Sequence, residues 1–240
     1  MVKDSGLLTL GTPALYDPAF PGGPMQIIMN LFDFILHVDR YLVPMLQDYG
    51  GWTYFFMFLI IFAETGFVVT PFLPGDSLIF ALGALAARGG LDLGVIGLVL
   101  LAAGFTGNSV NYLVGFILGP AVFKSDKSRI FRRDYLDRAH AFYSKYGGLT
   151  IIGGRFMPII RTFVPFVAGI ARMNVLKFYI YNLVGCFAWV GLFLLAGFFF
   201  GRLPVVEKNF SLVVLGIVLV SFIPPVVTAL RARARKVAKP

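Results

Sequence analysis

The sequence predicts an all-α integral membrane protein: two re-entrant helical hairpins plus transmembrane helices, set as an inverted repeat, with amphipathic helices at the interface. Three observations carry this expectation. The 240 residues are 58% hydrophobic and only 14% charged, with mean hydropathy +0.82, whereas soluble domains average roughly 45–50% apolar and about 25% charged. Two apolar runs are broken by proline and carry charges where a membrane span should carry none. And the order of broken segment followed by long apolar run occurs twice, a pattern that points to a site at the interface of two repeats.

The elements follow in order. Residues 1–24 hold Pro13, Pro18, Pro21 and Pro24 and lack the continuous apolar stretch of a cleavable signal, so they read as a loose leader to a single membrane domain over 25–240. In 25–47, Ile27, Ile28, Leu31, Phe34, Ile35, Val38, Leu42 and Met45 recur at helical spacing, with Asp33, His37, Asp39 and Arg40 opposite. That pattern suits an amphipathic helix lying in the interface, and equally one docked on the bundle.

The first broken segment, about 52–88, contains FAETGFVVTPFLPGDSLIFALGALAA. Trp52–Ala63 is too short to span before Glu64, since a crossing takes about 20 residues. A helix continuing to Val69 would then meet Pro71 and Pro74, which remove backbone donors, and Gly75, which permits a sharp reversal. Ser77–Ala87 forms the returning arm, so the segment is expected to enter the membrane and leave on the same side.

A span follows at about 94–118, with Gly115 and Gly119 spaced for close helix approach and Asn108, Ser109 and Asn111 needing partners at depth. The second broken segment, 149–171, carries Arg155 and Arg161 and is interrupted by Pro158 and Pro165. Spans are expected at 178–200, which contains Trp189 and the pair Gly197 and Gly201, and at 211–230, kinked by Pro224 and Pro225. The basic clusters Lys124–Arg138 and Arg231–Lys239 should both be cytoplasmic. An even number of crossings must separate them. The last two spans supply two, so 149–171 must re-enter.

Charge and cysteine usage narrow the function. The net charge of +9 is concentrated in those two clusters beside apolar runs, which explains it as topology and headgroup contact rather than nucleic-acid binding. Cys186 is the only cysteine, so neither a disulfide framework nor a thiolate metal centre is expected. No P-loop, metal motif or Ser/His/Asp grouping is visible, and the two histidines, His37 and His140, fall outside the expected bundle core. Neither an enzyme nor a cofactor is expected.

The chemistry concentrates in Glu64, Asp76, Arg155 and Arg161. An ionisable group at a helix centre in lipid costs at least about 2.5–3.5 kcal/mol, so such groups face protein or a water-filled cavity. Two acids in one broken segment and two arginines in the other point to one shared site. Guanidinium forks suit phosphate, and a buried carboxylate suits proton exchange, with Glu64 the better carrier. Simpler readings stand beside these: Asp76 as a helix N-cap, Glu64 and an arginine as a salt bridge between hairpin tips. Thr162 and Ser77 read more simply as local backbone hydrogen-bonders.

The residues also carry a resemblance. E-x-G-x-x-x-x-P-x-x-P-G-D at Glu64–Asp76 and R-x-x-P-x-x-R-T at Arg155–Thr162 resemble the DedA family of SNARE-associated, or VTT-domain, proteins. FDFILH at Phe32–His37, GNSVNYLVG at Gly107–Gly115, IFRRDYLDRAH at Ile130–His140 and YNLVGCFAWV at Tyr181–Val190 extend it along the chain. The resemblance implies a proton-dependent flippase or scramblase of the bacterial inner membrane, acting on undecaprenyl phosphate or phosphatidylethanolamine. Its essential acids and arginines fall on Glu64, Asp76, Arg155 and Arg161. Asn108 stands where the family pattern has Asp, and Phe116 where Arg often follows the glycine, so no third intramembrane acid carries over. The expected partners are therefore a phospholipid or polyprenyl phosphate and protons, with a homo-oligomer compatible. A proton-coupled transporter of ions or small solutes is the alternative.

Overall fold

The computed structural model describes residues 48–67, 75–122, 147–217 and 219–220. Outside them lie the expected leader, the 25–47 segment expected as an amphipathic helix, Pro71, Pro74, the basic segment 124–138, both histidines and the segment from 221 through the basic tail.

The described residues are helical, with no strand among them. In chain order the helices are α1 (Trp52–Gly66), α2 (Gly75–Ala87), α3 (Leu93–Val122), α4 (Leu149–Gly154), α5 (Pro158–Ile170), α6 (Val175–Phe200) and α7 (Pro204–Lys208). Residues 210–217 are again helical, where the last span is expected to begin. Two helical stretches, Leu93–Gly119 and Val175–Phe200, are long and apolar enough to cross a membrane.

Local chemistry sets several boundaries. The Asp92 carboxylate accepts from the Val95 amide at 2.8 Å at the start of α3, and Asn174 accepts from the Lys177 amide at 3.1 Å at the start of α6. Pro158 opens α5, where its missing N–H costs nothing. Pro165 departs from expectation: it lies inside α5 without ending it, although it lacks the donor for the Arg161 carbonyl and crowds it. Helix α1 ends at Gly66 rather than continuing to Val69.

Cross-contacts fix the directions. Leu194 lies by Gly97, Cys186 by Gly104 and Asn182 by Asn108, so α3 and α6 run antiparallel. The Asp92 amide donates to the Tyr54 hydroxyl, while Thr65 and Gly66 meet Gly107 halfway along α3, so α1 runs parallel to α3. Because α2 ends at Ala87 and α3 starts at Leu93, α2 runs antiparallel to α1, and it packs on α6. In the second half Gly148 meets Tyr181 and Gly185 meets Arg155, so α4 runs parallel to α6.

Glycine sets the two closest packings. A β-carbon on Gly83 of α2 would strike the Leu194 carbonyl of α6, one on Gly197 the Phe80 carbonyl, and one on Gly201 the side chain of Ala84. The α3–α5 pair repeats this arrangement: Gly169 against the Tyr112 carbonyl, Gly115 against the Phe166 carbonyl, and Gly119 against Ile170. The pairs Gly115/Gly119 and Gly197/Gly201 thus mark backbone-to-backbone contact, as their spacing suggests. Leu98, Leu113 and Ile117 on α3 and Leu183, Phe187 and Phe199 on α6 are exposed apolar side chains, the kind of surface that lipid covers.

Candidate functional site

The helix ends that flank the two breaks meet near the midpoints of α3 and α6, and this is where the buried charge lies. Glu64, Asp76, Arg155 and Arg161 are all between 0% and 5% exposed. Glu64 sits in the last turn of α1 and Asp76 in the first turn of α2, so Asp76 lies inside its helix rather than at the cap. Arg155 follows α4 directly and Arg161 lies in the first turn of α5.

Arg161 holds both acids. One nitrogen donates to Asp76 Oδ1 at 2.6 Å, and the other donates to Glu64 Oε1. Glu64 Oε1 also accepts the Gly75 amide at 3.1 Å. That contact explains Gly75. It does not adopt a positive φ; a β-carbon there would strike the Glu64 carboxylate. The need is for close approach, not for the sharp reversal the sequence suggested. Glu64 Oε2 is buried and has no hydrogen-bond partner.

Arg155 is placed differently. Its NH2 nitrogen donates to the Gly104 carbonyl at 3.1 Å and to Asn182 Oδ1 at 2.6 Å, both neutral acceptors. No carboxylate pairs with it among the described residues, and its Nε–H is buried without a partner. Asn182 is fixed from α3: it accepts from Asn108 at 3.2 Å and donates to the Phe105 carbonyl at 3.1 Å. Asn111 instead ties the two breaks together, donating to the carbonyls of Thr65 at 3.3 Å and Thr162 at 2.7 Å. Thr162 enters the site through its backbone. Among the described residues, no three of His, Cys, Asp and Glu come together as metal ligands.

Trp189 completes the site. It is fully buried, its indole N–H donates to Asp76 Oδ1 at 2.8 Å, and its ring lies 5.8 Å from the Arg155 and 5.4 Å from the Arg161 guanidinium. Neither Trp189 nor Asn182 stands out as a site residue from sequence alone. The available signals were an amide at depth in a span, and a tryptophan far from the interfacial belts where that residue concentrates.

The VTT domain model matches residues 73–199, which contains three of the four charges. Protein DedA of Escherichia coli strain K12 is 49% identical over 219 residues, covering 88% of this chain and all of that protein. The chain belongs to the DedA family. An uncharacterized membrane protein of Mycobacterium tuberculosis is 42% identical over 181 residues, 74% of this chain and 79% of the relative. Inner membrane protein YqjA of Escherichia coli is 33% identical over 158 residues, 66% of this chain and 72% of the relative. No solved structure matches the chain. As a DedA-family protein with long apolar helices, the chain is a membrane protein.

Proposed function

We propose that this protein is a flippase or scramblase that moves a phosphate-bearing lipid, such as undecaprenyl phosphate or phosphatidylethanolamine, across the cytoplasmic membrane with proton coupling. One observation carries the reading: Arg155 is a cation buried against neutral groups, with donors unspent. A buried charge without a counterion is costly, and an anionic headgroup is the partner that would relieve it. Acyl chains would stay in lipid while the phosphate meets Arg155. The proposal assigns the protein no covalent chemistry.

The charge balance supports coupling. Arg161 with Glu64 and Asp76 sums to one negative charge, and Arg155 restores neutrality. A headgroup of net charge −1, such as a singly ionised polyprenyl phosphate, leaves one excess negative charge at the site, which one proton cancels; the ammonium of phosphatidylethanolamine would itself cancel it. Glu64 Oε2, buried and unpartnered, is the seat we assign to that proton. Arg161 then serves as the acids' counterion, not as a second headgroup ligand.

The architecture we propose has α1–α2 and α4–α5 as re-entrant hairpins entering from opposite sides. Its support is that α3 and α6 are antiparallel, each hairpin break lies near mid-helix, and the glycine contacts of α2–α6 recur in α5–α3. An inverted repeat produces that correspondence, and it sets a site at the repeat interface. The 124–138 loop and the C-terminal tail would be cytoplasmic. The test uses purified protein in liposomes carrying a labelled phosphatidylethanolamine or polyprenyl phosphate, with and without a pH gradient. Lipid translocation faster under the gradient is the expected result. Gradient-driven movement of a soluble solute without lipid translocation would replace this reading with a small-solute transporter.

A further inference from the structure

Trp189 touches three of the four buried charges, and ordinary packing does not account for that. A tryptophan in a spanning helix usually lies at the interface, where its N–H reaches water or headgroups. Buried at mid-helix, the N–H needs an acceptor, and here it uses Asp76, which Arg161 already engages. The ring lies within cation–π range of both guanidiniums. Gly104 faces the same cluster: a β-carbon there would sit in ordinary contact, 3.5 Å, with Arg155 NH1 and the Trp189 ring, and tightly only against Cys186 Sγ, at 3.0 Å.

We propose that Trp189 is a positioning residue of this site: its ring holds the Arg155 guanidinium ready for a phosphate, and its N–H keeps Asp76 on Arg161, so the two arginines keep separate partners. The inference rests on the reading of Arg155 as an anion site. It goes further in naming what prevents the acids from capturing Arg155. Without the indole, Asp76 loses a donor and Arg155 loses its aromatic support. The guanidinium is then free to swing toward the carboxylates, which closes the anion site by internal pairing.

The chain has two tryptophans, and Trp52 is 65% exposed on α1 away from the site. Trp52→Phe therefore makes Trp189 the sole tryptophan, read with excitation that spares the tyrosines. In detergent, this protein is titrated with dihexanoyl phosphatidic acid, inorganic phosphate and dihexanoylglycerol, with binding also followed by calorimetry. Phosphatidic acid should bind and change Trp189 emission saturably, and dihexanoylglycerol should not; binding of inorganic phosphate alone would assign the site to free phosphate rather than a lipid headgroup. Trp189→Leu, checked for monodispersity and helix content, should weaken binding of the anion by about tenfold. Trp189→Phe keeps a ring and should bind within a few-fold of wild type while altering the pH profile of binding through Asp76.

Anion binding that is unchanged in Trp189→Leu, or a Trp189→Phe protein identical in both affinity and pH profile, overturns the proposal and leaves the Arg155 reading standing. Absence of anion binding to the parent protein overturns both together.

Discussion

The two arginines should respond unequally to the same substitution. Arg161→Gln removes the cation shared by Glu64 and Asp76 and leaves two carboxylates, 0% and 5% exposed, without it. Breaking a buried ion pair from one side costs about 3–5 kcal/mol. At roughly 2–4 °C per kcal/mol for a chain of this size, that is a fall in Tm of roughly 6–20 °C. Arg155→Gln strands no charge. The Gly104 carbonyl belongs to a helix interior, Asn182 Oδ1 still accepts from Asn108, and the cost of burying a lone cation disappears. Its stability should stay within about 1 kcal/mol of wild type, two lost hydrogen bonds offsetting that relief. Thermal unfolding in one detergent, followed by intrinsic fluorescence, measures both. An internal control follows: adding Glu64→Gln and Asp76→Asn to Arg161→Gln should recover much of the loss, since neutral replacements for a buried ionic set are often tolerated. Equal destabilisation by Arg155→Gln and Arg161→Gln would refute the division of labour between the arginines.

Further outcomes follow from the same geometry. Glu64→Gln should leave the protein folded and lipid translocation insensitive to a pH gradient, read in liposomes. Gly197→Leu should force α2 from α6 and cost about 1–3 kcal/mol, an overpacking penalty, and Gly115→Leu should cost a similar amount at the matching α3–α5 contact.

The broken segments were legible because proline and charge inside an apolar run are strong local signals, and Glu64, Asp76, Arg155 and Arg161 carried them. The glycine pairs at 115/119 and 197/201 were legible for the same reason: spacing on one helix is a local property. What sequence could not resolve was partnership. Which arginine meets the acids depends on how α5 docks against α1 and α2, and nothing in the spacing of Arg155 and Arg161 encodes it. Pro165 reads in the sequence as a second break, yet α5 continues through it. Trp189 and Asn182 were hidden by context. An aromatic in an apolar run signals nothing by itself, and the meaning of Asn182 emerges only where Arg155 and Asn108 converge on its oxygen. Gly75 reads in the sequence as a flexible point, but its value is its missing side chain beside Glu64.

The central claim is that Arg155, buried and without a carboxylate, receives the phosphate of a lipid. The direct measurement is the translocation rate of a labelled phosphate-bearing lipid in liposomes containing folded wild-type or Arg155→Gln protein at equal density. The account predicts rapid movement with wild type and a rate close to that of protein-free vesicles with Arg155→Gln. Translocation by Arg155→Gln at the wild-type rate would contradict it.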